Sequence, residues 1–224
     1  MKSFYPQQPA PWNRISWVMK QGGYTHKKPF YWQIATVCDF KDIGEGINRY
    51  CRDLSKTHVE KCFIEAFGYG SFVDPSERSK KVVKSETQAA HDGRIVFEPY
   101  TLKEGEICQR YIETGLKELR VLVINRKAKA VMIKRKKGVF DTGAKSFNTF
   151  EPEILSRSTI DRINHFSELL QMDYGELDVL KDVNNGKFYI VDANQCPGGG
   201  TKEFFNQSPE ELQLLIDAHK ELFD

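Results

Sequence analysis

The sequence predicts an α+β protein with antiparallel sheets flanked by helices, and two observations predict this class. Alternating apolar and polar residues recur over 80–135 and again over 174–194, a pattern typical of strands joined by short turns. Apolar residues at helical spacing follow Ser55, Ser158 and Ser208, and serine is a favoured residue at a helix N-cap. With 224 residues, of which 40% are hydrophobic, the chain can bury a substantial core in one domain or in two small lobes.

The segment 174–200 is predicted to form a β-hairpin. Residues 184–186, Asn-Asn-Gly, separate two alternating runs, and glycine at the third position suits a three-residue turn that ends in a left-handed conformation. This turn predicts that Val183 pairs with Lys187, which fixes the register of the two strands. One face of the hairpin is then apolar and suits a core, with Leu177, Val179, Tyr189, Val191 and Ala193.

The opposite face of the predicted hairpin carries carboxylates. In this register Asp178 faces Asp192, and Glu176 faces Asn194. Two like charges directly across a strand pair are destabilising unless a cation lies between them. Oxygen ligands of this kind suit Mg²⁺, which typically takes one or two protein carboxylates and completes its shell with water and phosphate oxygens. The alternative is a solvated hairpin whose acids face water, and the register alone does not exclude it.

Two upstream lysines lie in positions that suit a bound anion. Helical periodicity predicts a helix over 55–67, with Lys56 in its first turn. A cation there opposes the helix dipole, at a small cost that a bound anion would cancel. Lys84 lies near the end of the predicted strand 80–85, and the loop 86–93 and a returning strand follow. A loop between two strands, with a lysine near the end of the first strand, can fold over phosphate groups.

Three further strands are predicted over 106–113, 119–125 and 128–135, and together they predict a meander. Ser158 is the predicted N-cap of the helix that precedes the acidic hairpin, and Ser208 is that of the last helix.

Residues 1–51 differ in composition from the remainder of the chain. They contain four prolines and all three tryptophans, which predicts a segment ordered by packing rather than by regular structure. One strand is predicted, over 31–40. A segment that wraps the core is favoured over a protein-interaction arm, because so many aromatic side chains rarely remain in water.

Composition bounds the partners and the compartment. Lys+Arg number 33 and Asp+Glu 31, so net charge does not imply binding to nucleic acid or to an acidic membrane surface. The five cysteines are widely spaced with no C-x-x-C pair, which suggests neither a disulfide framework nor a zinc site. The sequence lacks an apolar run of roughly 18 residues and an apolar signal-peptide core. These features predict a soluble cytoplasmic protein.

The order of these parts resembles the ATP-grasp superfamily, the ligases whose nucleotide lies between two α+β lobes. The resemblance covers about residues 52–200 and rests on Lys56, Lys84, the strand CQRYIET, the pair LRVLVI and AVMIKR, and LDV followed by VDANQCPGG. It implies a short N-terminal segment over 1–51, a smaller lobe over 52–107 and a larger lobe over 108–224 that carries the metal-binding hairpin.

The resemblance also implies roles for single residues. Lys56 and Lys84 match the lysines that reach the nucleotide phosphates. The backbone of 110–112 matches the hinge that hydrogen-bonds adenine, with Gln109 or Glu113 near the base or ribose. The implied nucleotide-binding set is therefore Lys56, Lys84, Gln109, Arg110, Tyr111, Ile112 and Glu113. Surface lysines and a plain edge strand are the alternatives.

Arginines and oxygen ligands complete the implied site. Arg120 and Arg135 match catalytic arginines that meet phosphate or an acyl phosphate, a role that suits a planar bidentate guanidinium. Arg120 is equally suited to a structural ion pair with Glu118 or Glu113. The implied metal ligands are Asp178, Asp192 and Asn194, with Glu176 as a further candidate.

The implied function is an ATP- and Mg²⁺-dependent ligase that activates a carboxylate as an acyl phosphate for attack by an amine. The substrates would be small-molecule or peptide carboxylates and amines, and a homodimer is compatible with the short N-terminal segment. A small-molecule kinase of the same superfamily and a non-catalytic nucleotide-binding protein are the alternatives.

Overall fold

The computed structural model describes residues 4–11, 13–25, 28–88, 90–135, 138, 147–148, 154–198 and 209–223. In chain order the elements are β1 (Phe4–Pro6), α1 (Arg14–Gly22), β2 (Phe30–Trp32), α2 (Lys56–Phe67), β3 (Lys81–Ser85), β4 (Arg94–Val96), β5 (Glu106–Arg110), β6 (Lys117–Ile124), β7 (Lys127–Arg135), β8 (Phe147–Asn148), α3 (Arg157–Leu169), β9 (Tyr174–Lys181), β10 (Phe188–Asn194) and α4 (Pro209–Lys220).

Two antiparallel sheets form the framework, which confirms the predicted α+β class. The larger sheet has five strands in the order β10-β9-β6-β7-β8, and the smaller has three in the order β4-β3-β5. β1 and β2 form a separate parallel pair. The predicted meander is wrong, because β5 pairs with β3 whereas β6 pairs with β7 and β9. The connection 111–116 therefore carries the chain from one sheet to the other.

The helices α2 and α3 cover one face of the five-stranded sheet. The hydroxyl of Ser55 accepts a hydrogen bond from His58 N–H, as expected for an N-cap, and Gly68 ends the helix at a φ of 78°. The N-cap of α3 is Ser156, which accepts from Thr159 N–H, so the prediction of Ser158 is wrong by two residues. The core between these layers includes Val59, Phe63, Val121, Val123, Ile163, Phe166, Leu177 and Val179.

The second face of the five-stranded sheet is apolar at one end only. Leu122 and Ile124 of β6 and Met132 of β7 pack there against the N-terminal segment and α4. Toward the other end of the same face, strand alternation brings Arg120 and Lys134 into line with these residues. This face of the sheet therefore has an apolar half, which packs against the N-terminal segment and α4, and a charged half.

The N-terminal segment contains more regular structure than the sequence analysis predicted. The helix α1 was not predicted, although Asn13 precedes it in an extended conformation and Gly23 follows it at a φ of 65°. β2 covers only the first part of the strand predicted over 31–40. Proline density upstream obscured the helical spacing of Ile15 and Val18, which are buried against the sheet.

The hairpin β9–β10 has the predicted register at the aspartates but not at the turn. Asp178 lies opposite Asp192, as predicted. At the turn, however, Asp182 N–H donates to the carbonyl of Lys187 at 2.9 Å, so the loop has one residue more than predicted. A β-bulge at Val191, between the two regions of regular pairing, compensates for this shift.

Three expectations concern the remaining parts of the chain. Ser208, the predicted cap of α4, lies outside the described residues. The predicted boundary between residues 107 and 108 falls within β5, and the division into lobes stays a prediction. None of the helices in the described ranges has the length and apolar character that a membrane crossing requires.

Candidate nucleotide and metal site

A cleft of about 280 Å³ lies between the two sheets and collects most of the predicted site residues. Those that line it are Lys56, Lys84, Gln109, Arg110, Tyr111, Ile112, Arg120, Asp178 and Asp192. Glu113 and Asn194 are not among the lining residues. Arg135 ends β7, and its side chain lies outside the described part of the chain.

The two aspartates and one arginine form a row across three strands. Asp192 of β10 pairs with Asp178 of β9, which pairs on its other side with Arg120 of β6. The Oδ1 atom of Asp178 lies 3.4 Å from Arg120 Nε. Burial raises the pKa of Asp178, the carboxylates of Glu118 and Asp192 add to this, and Arg120 opposes it. A further cation beside Asp178, in addition to Arg120 and Lys134, would therefore stabilise its ionised form.

Arg120 lies among three carboxylates. It approaches Glu118 at 3.6 Å and Glu176 at 3.4 Å, in addition to Asp178. Burial lowers the pKa of Arg120, but the carboxylates of Asp178 and Glu118 outweigh this effect and the pKa is raised. Arg120 therefore both lines the cleft and takes part in the structural ion pair that the sequence left open, with Glu118 as the partner.

Lys134 is a cleft residue that the sequence analysis did not select. Its Nζ lies 3.5 Å from Glu118 Oε1, and its side chain is buried. The signal was available in the alternation of β7, since Lys134 is two residues after Met132, which pairs with Arg120. Lys134 is also the first of four consecutive basic residues, and most such runs lie in solvent.

Lys84 connects the two sheets. Its side chain extends from β3 to β10, where Nζ donates to the carbonyl of Val191 at 3.1 Å. A bulged residue is left out of the regular ladder, which makes this carbonyl accessible. Burial lowers the pKa of Lys84 to about 8, while Asp192 raises it and Lys56 lowers it further. The cleft thus contains a partly desolvated cation beside the aspartate pair.

Lys56 has a different environment from the one predicted. Its Nζ donates to the carbonyls of Thr87 at 3.0 Å and Glu86 at 3.4 Å. The carboxylate of Glu86 accepts from Thr57 N–H at 3.2 Å in the first turn of α2. The first turn of α2 is therefore already contacted by a carboxylate of the chain itself, which interacts favourably with the helix dipole.

The strand end predicted to hold adenine lines the cleft. Tyr111 N–H donates to Lys80 O at 3.3 Å, after which the chain leaves β5. Among the described residues, Ile112 N–H has no hydrogen-bond partner. The amide of Gln109 is held by Ser71 Oγ at 3.0 Å, and the carbonyl of Glu113 accepts from Val183 N–H at 2.9 Å. The side-chain amide of Gln109 is thus already engaged by Ser71, and its role beside the base or ribose stays a prediction.

Two predicted or candidate metal ligands are engaged elsewhere. The Oδ1 atom of Asn194 accepts from Cys196 N–H at 2.8 Å and so stabilises the turn after β10. Glu176 is buried between Arg14 and Arg120. In the described part of the chain, no group of three or more His, Cys, Asp or Glu side chains is arranged to hold a metal ion. Asp178 and Asp192 are the predicted metal ligands that line the cleft, and the role of Asn194 stays a prediction.

The loop 86–93 is fastened over the cleft by Gln88. Its side-chain amide donates to the carbonyls of Ala193 at 2.8 Å and Leu54 at 3.2 Å. Its backbone N–H donates to Thr36 Oγ1 at 2.9 Å. Gln88 thus connects the loop to β10 through its side chain and to the N-terminal segment through its backbone.

We expect Gln88→Ala to release this loop. Loss of the amide removes two hydrogen bonds, so the free energy of unfolding should fall by about 1 to 3 kcal/mol. Amide hydrogen exchange over 85–93 should accelerate more than exchange elsewhere. Gln213→Ala on the exposed face of α4 is the control, and unchanged exchange in the Gln88 variant would contradict the fastening role.

Comparisons with known proteins add a likeness of fold. No protein-family model and no curated protein sequence matches the chain. The ATP-grasp ligase PsnB complexed with a phosphomimetic variant of its minimal precursor, Mg and ADP matches with a TM-score of 0.55 and 14% identity, over 76% of this chain and 59% of PsnB. PsnB complexed with its minimal precursor matches with a TM-score of 0.52 and 15% identity, over 74% and 60% of the two chains.

A second protein shares the fold over more of its length. The D-alanine–D-alanine ligase from Bacillus anthracis, complexed with ATP, matches with a TM-score of 0.52 and 14% identity, over 94% of this chain and 74% of the ligase. The present chain spans 60% of the matched PsnB chain. At these identities the likeness concerns the fold, so roles for individual residues depend on the geometry of the cleft.

Proposed function

We infer from the ATP-grasp fold of this chain that it binds MgATP in the cleft and uses it to activate a carboxylate for attack by an amine. The observation that carries this proposal is the convergence of Lys84, Arg120, Asp178 and Asp192 on one cleft between the two sheets. Opposed carboxylates beside buried cations form a site that suits phosphate groups and a divalent ion together.

Asp178 and Asp192 fit a magnesium ion in their donor chemistry. Both supply oxygen ligands, and they lie directly opposite each other on neighbouring strands. Two carboxylates in this arrangement repel each other, and burial already opposes the ionised form of Asp178. A bound magnesium ion would supply the positive charge that stabilises both carboxylates and neutralises phosphate oxygens.

We assign the remaining parts of the cleft to the nucleotide. The backbone of Tyr111 and Ile112 would hold the adenine ring, since Ile112 lines the cleft and its N–H has no partner among the described residues. Lys84 would bind phosphate oxygens. Lys56 has two of its three donors on loop carbonyls, so we propose that it positions the loop 86–93 and offers one donor to phosphate.

The chemical step needs positioning and charge rather than a side-chain nucleophile. A carboxylate oxygen of the substrate attacks the γ-phosphorus, the bond to the bridging oxygen breaks, and ADP leaves. The amine nitrogen then attacks the acyl carbon, phosphate leaves, and the amine loses a proton. Arg120 would stabilise charge on the transferred phosphoryl group, with Lys134 as a second cation and Arg135 as a further predicted one.

The substrate class and the cellular setting are part of the proposal. Because PsnB has been solved with a precursor peptide, we propose a peptide carboxylate as substrate, with a small-molecule carboxylate as the alternative. A cytoplasmic location and a homodimer, both expected from the sequence analysis, stay part of the proposal. A small-molecule kinase would use the same cleft and transfer phosphate to an alcohol. A nucleotide-binding protein without turnover is the third candidate.

Three measurements test the proposal in sequence. Calorimetric titration with a non-hydrolysable ATP analogue should show binding that needs Mg²⁺, and no binding would overturn the proposal. ADP and phosphate release should require both a carboxylate and an amine, screened as mixed pools. A phosphorylated alcohol without free phosphate would indicate the kinase, and tight binding without release would indicate the non-catalytic protein.

Isotope exchange identifies the first step independently of the amine. ATP labelled with ¹⁸O in the β–γ bridge should scramble its label when the correct carboxylate is present and no amine is added. This result follows because reversible phosphoryl transfer lets the β-phosphate of bound ADP rotate. Scrambling that needs the amine as well would contradict an acyl phosphate.

A further inference from the structure

A buried ion pair joins the N-terminal segment to the cleft. Arg14 is the first residue of α1, and its guanidinium contacts the carboxylate of Glu176 in β9. Both side chains are only 2% exposed. A cation in the first turn opposes the helix dipole, and a buried charge is costly unless it is paired. The pair with Glu176 therefore accounts for an arginine in an otherwise unfavourable position.

The ion pair continues into the row of charges that lines the cleft. The second carboxylate oxygen of Glu176 lies 3.4 Å from Arg120 Nη1. Arg120 Nε lies 3.4 Å from Asp178 Oδ1, at the predicted metal site. Arg14, Glu176, Arg120 and Asp178 thus form an alternating series of positive and negative groups. Glu118 is the other carboxylate that faces Arg120.

The position of Arg14 is fixed by its surroundings. The neighbouring Ile15 and Val18 are fully buried in the apolar cluster that includes Leu122 of β6. The side-chain amide of Asn13 donates to the carbonyl of Pro197 at 3.4 Å, just after β10. Burial lowers the pKa of Arg14 to about 10, which leaves it protonated at neutral pH. The helix therefore presents a fixed positive charge to Glu176.

We infer that Arg14 is a positioning residue of the proposed active site, which holds Glu176 so that Arg120 stays directed at Asp178 and the cleft. This inference rests on the proposed function. Without Arg14, the buried carboxylate of Glu176 has Arg120 as its remaining cationic neighbour in the described contacts. Arg120 would then move toward Glu176 and away from Asp178, so the aspartate pair would lose part of its compensation.

Binding of a non-hydrolysable ATP analogue tests the inference in the full chain. We expect Arg14→Met to raise the Mg²⁺ concentration needed for half-maximal binding by about 10- to 100-fold. Arg14→Lys keeps the charge and should recover part of the effect. The double variant R14M/E176M removes the uncompensated carboxylate, so its binding should return toward wild type. All measurements are made where circular dichroism shows each variant to be folded.

A matched control separates positioning from general damage. Arg49→Met breaks ion pairs with Asp42 and Glu45 in the same N-terminal segment, away from the residues that line the cleft. It should leave binding unchanged. Arg14→Met with an unchanged Mg²⁺ requirement, and only a lower melting temperature, would overturn the positioning role while the proposed function stood.

A readout without nucleotide keeps the two proposals distinguishable. In a crystal structure of the Arg14→Met variant, or of the milder Glu176→Gln variant if the first does not fold, the guanidinium of Arg120 should be displaced relative to Asp178. In Arg14→Met the displacement should be toward Glu176, and in Glu176→Gln toward Asp178. An unmoved guanidinium would overturn the inference, whereas failure of wild type to bind the ATP analogue would overturn the proposed function.

Discussion

Replacing Asp192 with asparagine is expected to abolish Mg²⁺-dependent turnover of ATP. The neutral amide removes one of the two carboxylates that face each other across β9 and β10. Loss of several kcal/mol of charge stabilisation corresponds to a decrease of about 100-fold or more in kcat/KM. The fold should tolerate this change. In the absence of Mg²⁺ the two aspartates of the wild type repel each other, and the substitution removes this repulsion. Activity and stability should therefore respond in opposite directions.

Steady-state ADP release and urea unfolding, both with and without Mg²⁺, measure the two effects separately. In the wild type, Mg²⁺ should raise the free energy of unfolding, and in Asp192→Asn this increase should be much smaller. Asp161→Asn is a suitable control, since this aspartate is 58% exposed on α3. Unchanged activity in Asp192→Asn would refute the metal assignment.

The aspartate pair shows how far strand alternation alone can carry a prediction. The observed turn is one residue longer than predicted, and with regular pairing it would have put Asp178 opposite Val191 rather than Asp192. The bulge at Val191 shifts the pairing back by one residue, so the predicted pair is the observed pair. Nothing in the apolar run before Asp192 signals a bulge. The predicted register at the two aspartates is therefore correct, although the prediction included neither the longer turn nor the bulge.

The missed features share a dependence on contacts between distant parts of the chain. The contact of the Glu86 carboxylate with the first turn of α2, and the ion pair of Glu176 with Arg14, arise only when separate elements pack together. Local patterns predicted that Lys56 lies in a first helical turn, because capping is a property of neighbouring residues. Local patterns could not predict which distant residue forms an ion pair with a given charged side chain. The same limit hid Lys134, whose partner lies on the adjacent strand.

Removing the charge of Lys84 is expected to weaken nucleotide binding strongly and to leave folding intact. A charge-assisted hydrogen bond contributes about 1.5 to 3 kcal/mol, which corresponds to about 10- to 100-fold in affinity. In the folded protein the ammonium group is desolvated, so Lys84→Met should not reduce stability at neutral pH. Lys103→Met in an exposed loop is the control, and a variant of Lys84 that fails to fold would show that the lysine is structural.

The pKa of Lys84 gives this prediction a second, independent measurement. Burial lowers that pKa from an ordinary value of 10.5 to about 8, against the attraction of Asp192 and Asp178. Between about pH 8 and pH 10.5 the unfolded state binds more protons at Lys84 than the folded state does. The contribution of Lys84 to the free energy of unfolding therefore rises with pH over this range, and it is least favourable below about pH 8. Binding of the ATP analogue should change in the opposite direction, because the cation that meets phosphate is lost as the pH rises through about 8. Lys84→Met should lack this decrease in affinity, and the same pH profile in wild type and variant would exclude Lys84 as the phosphate-binding lysine.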